Sequence, residues 1–349
     1  MDGTVNSAVP ETAAAQPAAP TCAAPAPAAV PAMPATDSEP PSPWHAGEVA
    51  MQRVEGVAER MDSVGRKVVR PYMPDQHREF FAQLPFAVLG AVDGGGDVWA
   101  TLRSGEPGFM QSPDPRVLAL RLPRVADDPA DAGLDDGSSV ALLGMELHTR
   151  RRNRMNGVLR RGPDGPARID VRQSFGNCPQ YIQLRDFQLT NTVPAPAQWL
   201  PAPDDAAMRL VMQADSFYVA SYADLPDGQR QVDVSHRGGR PGFVHVDQDG
   251  ALTVPEFAGN LFFNTLGNFL VTPRAGLVFV DFDSGDLLQM TGDVQLLDSL
   301  PGRAVQGAQR YWRFVPRKVV WRRNALGLRW AMQEDGMSPA ALRTGTWNP

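Results

Sequence analysis

The feature that most limits how this chain can fold is an internal repeat. An apolar run from Phe86 to Val92 is followed by a turn, a second strand-like run, Pro107-Gly108-Phe109, the apolar run VALLGMEL (140–147) and Met155-Asn156-Gly157. The order recurs from Phe217, with a run to Ala223, a turn, VDVS, Pro241-Gly242-Phe243, AGLVFVDF and Met290-Thr291-Gly292. From the opening Phe to the closing Gly the distance is 71 residues in one copy and 75 in the other. Self-similarity on this scale predicts two related units. Short apolar or alternating runs between Gly-, Pro- and Asp-rich turns, with no helices interleaved, predict antiparallel sheets rather than βαβ units. FAVLGAV, DGGGD and VWATL read as a hairpin; VLALRL (117–122), RMNGVL (154–159) and the stretch around ARIDVRQSF supply further strands. Closed or partly closed barrels of about six strands each would remove the exposed strand edges. Barrels of this size are filled by their own side chains, which leaves a rim or the groove between two barrels for a ligand.

Four segments follow from composition. Residues 1–43 hold 13 Ala and 10 Pro, no Lys or Arg, and no periodic apolar run; they cannot offset the entropy of ordering and are expected to be a disordered arm. Residues 44–192 carry N-terminal helices and the first barrel, 193–206 form a linker marked by Pro194, Pro196, Pro201 and Pro203, and 207–349 form the second barrel with a C-terminal extension. Apolar residues at Ala50, Val54, Val57, Met61, Val64 and Val68 predict one helix from about Ala46 to Val69, stopped by Pro71 and Pro74. A second short helix is expected from Asp75 as N-cap, with Phe80, Phe81 and Leu84 on its apolar side.

Charge and absent motifs remove several function classes. The net charge is −6, and Asp2, Glu11, Asp37 and Glu39 in the arm account for four of the excess acids. The remainder is nearly neutral, which predicts no nucleic acid and no anionic membrane as partner. With only Cys22 and Cys178, a disulfide or a thiolate metal site is not expected. His45, His77, His148, His236 and His245 form no i, i+4 pair, so no metal is expected either. A basic and apolar leader is lacking, as is any run of about 18 apolar residues, and a cytoplasmic protein is expected. The chain has no G-x-x-x-x-G-K-S/T, G-x-S-x-G, C-x-x-C or H-E-x-x-H.

Chemistry concentrates in the second repeat. There the strand VDVS runs into His236-Arg237-Gly238-Gly239-Arg240-Pro241-Gly242, where guanidinium groups, the Ser235 hydroxyl and open backbone N–H groups suit an oxyanion. A polar hairpin turn facing water is the plainer alternative. Downstream, Asn260, Asn264 and Asn268 recur every four residues, which on a helical turn puts three amides on one face, suited to a heteroaromatic rim or a phosphate. Phe262 and Phe263 both suit the cover of such a ring, with core the alternative for either and the commoner role for an aromatic there, more so for Phe262. In the first repeat His148-Thr149-Arg150-Arg151-Arg152-Asn153-Arg154 reads as the solvated start of a strand, with an anion or partner-domain contact second. The loop Ser174 to Tyr181, with Cys178, reads as structural, since no base is placed to activate the thiol.

These stretches resemble the pyridoxamine 5'-phosphate oxidase-like family of FMN-binding split barrels. The second repeat carries D-x-S-x-R-G-G-x-P-G-F, G-N-x-x-x-N-x-L-x-N, Pro-Arg-x-Gly-Leu and a strand ending in T-G. The resemblance spans roughly 44–347 and is closest to a two-barrel branch that shares HREFFAQLPF, GFMQSPDPR, RRRNRMNG, SFGNCPQYIQ and DVSHRGG. It implies a mainly β fold with minor α, tandem FMN-binding split barrels, and FMN held at the barrel interface. Carried over residue by residue, Ser235, His236, Arg237 and Gly238 form one set of flavin-contacting candidates. Asn260, Phe263, Asn264, Thr265 and Asn268 form the other. Where many relatives have Arg or Lys in the G-N-x-x motif, this chain has Phe262 and Phe263, which leaves three alternatives: the phosphate falls to Arg237, with Arg240 as a second candidate, FMN binds more weakly than usual, or the ligand differs. Members of the branch are often joined to a reductase domain after a segment like LRTGTW; here the chain stops at Pro349, and electrons are expected from NAD(P)H or a separate reductase.

The resemblance implies a flavin-dependent oxidoreductase acting on a small organic substrate, a homodimer, with His236 as the proton-transfer candidate because an unperturbed imidazole titrates near neutrality. A non-catalytic carrier of FMN, haem or deazaflavin is the alternative. A third reading is a subunit whose flavin site is vestigial and whose N-terminal helix and arm mediate assembly.

Overall fold

The computed structural model describes residues 41–162, 166–300 and 302–347. The arm expected at 1–43 lies almost wholly outside them. Three helices come first, α1 (Ala46–Val54), α2 (Ala58–Val68) and α3 (Asp75–Gln83). The single helix expected from Ala46 to Val69 is therefore two. Gly56 takes φ 67°, a left-handed conformation that breaks the run, and Val54, counted on the apolar stripe, is exposed. Asp75 is the first residue of α3 rather than its cap, which is Pro74; Phe80, Phe81 and Leu84 are buried as expected.

The first barrel consists of β1 (Phe86–Val92), β2 (Val98–Ser104), β3 (Met110–Asp114), β4 (Val117–Leu120), β5 (Ser139–Glu146), β6 (Arg151–Arg160) and β7 (Ala167–Gly176). A 3-10 turn, Pro129–Gly133, links β4 to β5. Next come β8 (Arg185–Leu189), β9 (Gln198–Leu200) and α4 (Asp205–Gln213), whose N-cap Asp204 accepts from the backbone N–H of Ala207. The second barrel has β10 (Ser216–Asp224), β11 (Arg230–Gly238), β12 (His245–Val246), β13 (Leu252–Phe257), α5 (Asn264–Val271), β14 (Arg274–Asp281), β15 (Asp286–Leu297) and β16 (Ala308–Arg322). The described chain closes with β17 (Leu328–Met332) and α6 (Pro339–Leu342).

The repeat is exact at the level of topology. The first sheet runs β2-β1-β5-β6-β7-β4-β3 and the second β11-β10-β14-β15-β16-β13-β12, all antiparallel. Neither sheet pairs its two end strands, so each is a split barrel curled over its own apolar core. The registers shift the sequence alignment by one residue. Phe86 pairs with Ser104 and Ser216 with Gly238, so Phe86 corresponds to Ser216 rather than Phe217. Side chains alternate along a strand; accordingly Phe217 fills the second barrel while Phe86 faces outward, into a third apolar cluster shared by both barrels. That cluster joins Val88 and Leu143 of the first barrel to Tyr218, Ala220 and Val278 of the second. It glues the sheets together along β1 and β10, where a Cβ on Gly90 would lie 3.2 Å from that of Ala220.

The segment expected to be a linker is tied down. β9 pairs with β16, and Trp199 packs edge-on against Trp99 at 6.1 Å. β8 pairs with β17, which fastens the end of the first half to the end of the chain. No helix among the described residues is long and apolar enough to cross a membrane.

Candidate functional site

A cleft opens between the barrels with one wall from each, about 870 Å³ counting its mouth. The first barrel contributes Arg152 and Arg154 on β6, and Asn177, Cys178, Gln180 and Tyr181 beyond β7. The second contributes the end of β11, the end of β13 and the loop leading into α5. Ser235, His236, Arg237, Gly238, Asn260, Phe263, Asn264 and Thr265 all line it.

Asn268 does not. The four-residue spacing of the asparagines spans a loop and a helix, because α5 starts only at Asn264. Asn260 sits in the loop, where its Oδ1 accepts from the backbone N–H of Phe262 at 3.1 Å. Asn268 points behind the cleft, donating to Ser221 Oγ at 2.9 Å and meeting His45 Nε2 at 2.8 Å. The loop is bent tightly, with Leu261 and Phe263 both at positive φ (64° and 61°), a conformation that costs non-glycine residues free energy. Phe262 thereby turns into a core with Trp44, at 4.9 Å between rings, and Phe175. Phe263 stays at the cleft, with the Arg310 guanidinium 5.3 Å over its ring.

The arginine run of the first repeat is not simply a solvated strand start. Alternation along β6 exposes Arg151 and turns Arg152 and Arg154 to the cleft. Arg154 is buried and crosses to the second barrel, reaching Asp233 Oδ1 at 2.6 Å, Ser235 Oγ at 2.5 Å and Asn264 Oδ1 at 2.8 Å. Arg152 is half-buried and donates from Nε to the Cys178 carbonyl at 2.7 Å. Among the described residues, no carboxylate oxygen lies within 4 Å of it. Burial, then repulsion from Arg154 and Arg237, pushes its guanidinium down to about 9. The first barrel thus supplies Arg152 and Arg154 to the cleft beside Arg237 of the second. The signal was present in sequence as an i, i+2 arginine pair on a strand.

Arg237, at the rim, pairs with Glu256 at 3.0 Å. Arg240 corrects an expectation: it is exposed and outside the cleft. Gly238 is demanded by close approach, since a Cβ there would lie 2.3 Å from the Tyr181 carbonyl oxygen. Cys178 stands in the wall and serves through its backbone.

His236 also departs from expectation. It is buried, faces Tyr218 edge-on at 5.6 Å between rings, and leaves Nδ1 without a hydrogen-bond partner among the described residues. Burial, then the positive charges of Arg152, Arg237 and Arg185, holds its pKa well below 6.5. The imidazole is therefore neutral near pH 7, and its unperturbed value does not describe it.

Behind Asn264 the N-terminal helix completes the site. Gly47 of α1 and Gly267 of α5 let the two helices touch, a Cβ on Gly47 falling 2.1 Å from the Gly267 carbonyl oxygen. Glu48 is buried there; Oε1 accepts from Asn264 Nδ2, and Oε2 accepts from the His45 backbone N–H at 2.9 Å. Burial raises Glu48 to about 8 against the pull of those hydrogen bonds. His45 Nδ1 accepts from the Gly47 N–H at 3.1 Å, so Nε2 carries the proton shared with Asn268 Oδ1. Sequence reading missed both residues because their partners lie more than 200 positions away.

Among the described residues no group of three or more His, Cys, Asp or Glu is placed to hold a metal. What converges is an electropositive, hydrogen-bonding cleft with aromatic faces from Phe263, Tyr181 and Phe257, the last two stacked at 5.7 Å.

No protein-family model matches the chain, and no curated protein matches it in sequence. Solved structures do match in part. A pyridoxamine 5'-phosphate oxidase-related, FMN-binding protein from Nostoc punctiforme is 16% identical over 28% of this chain and 47% of its own, at a TM-score of 0.20. An FAD-binding protein from Mesorhizobium loti is 14% identical over 36% and 97%, at 0.25. The haem storage protein HutZ from Vibrio cholerae is 9% identical over 35% and 95%, at 0.24.

Proposed function

We propose that this protein is a flavoprotein of the pyridoxamine 5'-phosphate oxidase-like kind that binds FMN in the cleft between its barrels. We further propose that it is an oxidoreductase acting on a small organic substrate, with electrons from NAD(P)H or a separate reductase. The observation that carries the binding reading is the convergence of Arg152, Arg154 and Arg237, from both barrels, on one cleft, with Arg152 matched by no carboxylate. Guanidinium groups suit a phosphate by bidentate hydrogen bonding. The residues present fit such a group: among the described residues His236 Nδ1, Arg154 Nε and Asn177 Nδ2 are buried at the cleft without hydrogen-bond partners, and a polar anionic ligand would relieve the cost of leaving them so. Arg152, Arg154, Arg237 and Ser235 would hold the phosphate; Asn260 and Asn264 offer amides, and Phe263 and Tyr181 aromatic faces, to a flat ring. A bound flavin supplies hydride or electron transfer, while the chain supplies position, positive potential and exclusion of water. Absorption spectra of the purified protein, and quenching of FMN fluorescence on titration, test this. A colourless protein without FMN affinity would defeat it.

A second reading is a carrier of FMN, haem or deazaflavin without turnover; its support is the burial of His236, the candidate for proton transfer, whose Nδ1 meets no hydrogen-bond partner among the described residues. Reduction of the bound cofactor by NAD(P)H or a reductase separates the two. The homodimer expected from the resemblance and the cytoplasmic location expected from the sequence belong to the same proposal, the former tested by sedimentation.

A further inference from the structure

The pseudo-twofold relation between the barrels places a second set of residues where the cleft's mirror should be. Superposing the registers pairs Thr101 with Ser235 and Arg103 with Arg237 on the hairpin strands β2 and β11. It likewise pairs Gln289 with Arg154 on β15 and β6, and Arg322 at the end of β16 with Asn177 just beyond β7. These residues do meet. Among them sits a carboxylate, Asp128, from the turn that occupies the chain position of α5. Asp128 is 2% exposed. Its Oδ2 accepts from Thr101 at 2.5 Å and lies 2.9 Å from both Arg103 and Arg322; its Oδ1 accepts from Gln289 at 3.0 Å and from the Ala130 N–H at 3.1 Å.

We propose that this cluster is a second, closed copy of the oxyanion site, with the Asp128 carboxylate standing in for the ligand. Two guanidiniums, a hydroxyl, an amide and a backbone N–H around a pair of oxygens are the donor set of a phosphate cradle. Arg103 retains the mark of a ligand-binding residue. It is 8% exposed, yet its Nε and one terminal nitrogen have no hydrogen-bond partner among the described residues, although Asp131 takes the other at 2.7 Å. At the chain position where the open cleft has neutral Asn264 and Thr265, with its acid Asp233 set back on β11, the closed copy has Asp128 itself, which fills the cradle. The inference rests on the oxyanion part of the reading above and not on flavin.

The test removes the built-in anion and supplies another. Asp128→Ala should unfold at lower temperature than wild type in phosphate-free buffer, because buried Arg322 loses its carboxylate and Arg103 loses one of its two. Inorganic phosphate at matched ionic strength should raise its Tm by several degrees, as mass action gives for a ligand well above its Kd. The double variant D128A/R103A should gain no more from phosphate than wild type does. If Asp128→Ala is unfolded alone, recovery of the fold on refolding in phosphate supports the proposal. It is overturned if Asp128→Ala is as stable as wild type without phosphate, if its gain equals that of D128A/R103A, or if it stays unfolded in phosphate. Absence of flavin binding would alter none of these readouts.

Discussion

Arg154 of the first barrel lies 2.6 Å from Asp233 of the second, and both are buried where the barrels meet. This pair fixes the two cleft walls relative to each other, and it is seconded by Ser235, which donates to Asp233 at 3.0 Å while accepting from Arg154. Removing one partner of a buried pair leaves an uncompensated charge, at a cost of about 3–5 kcal/mol. Arg154→Ala should therefore lose about that much stability in urea unfolding. Arg154→Ala with Asp233→Ala together should lose less than the sum of the single changes.

Arg152 has the opposite character, being a cation with no carboxylate to leave behind. Arg152→Ala should keep the stability of the wild type within about 1 kcal/mol and weaken FMN roughly 10- to 100-fold, the range of a lost charge-assisted hydrogen bond. Fluorescence titration alongside thermal unfolding checks both halves.

Glu48 makes stability depend on pH. The folded protein holds its proton up to about 8, against 4.5 for an ordinary glutamate. Between those values the folded state binds more protons than the unfolded one, so this group's contribution falls as pH rises from about 4.5 to about 8 and is level outside that window. The loss across the window should be about 3–5 kcal/mol. Glu48→Gln keeps a neutral side chain at all pH values and should flatten that part of the profile. Denaturant melts at pH 5, 6, 7 and 8 would reveal the difference as a slope present only in wild type.

Gly238→Ala places a methyl 2.3 Å from the Tyr181 carbonyl oxygen, a contact that must be relieved by moving the Asn177–Tyr181 wall. Overpacking of this kind costs about 1–3 kcal/mol. The variant should unfold earlier, and it should bind FMN less well than its stability alone would suggest.

How much of this was legible in the sequence depended on whether the information was local. Strand pairs, the duplication and the second-barrel motif occupy contiguous stretches, and they emerge in the structure with the same topology in both halves. The one-residue phase between the halves did not, because Phe86 and Phe217 look alike at the head of an apolar run, and only pairing with β2 and β11 reveals that they face opposite ways. The first-barrel wall was hidden for a related reason. Arg154 meets Ser235 and Asn264 across 81 and 110 positions, and a string of arginines without its partners reads as surface. His236 was legible as a cleft residue but its charge was not, since burial and three arginines set it.

The apolar face shared along β1 and β10, with β8 zipped to β17, has a consequence for what a half of this protein can be. Cutting the backbone between Val193 and Ala197 would sever one covalent link while leaving that adhesive surface intact. Each fragment on its own would present a large greasy face and precipitate. Produced together, the fragments should find each other and restore a single soluble particle, which makes the duplicated chain a natural split reporter.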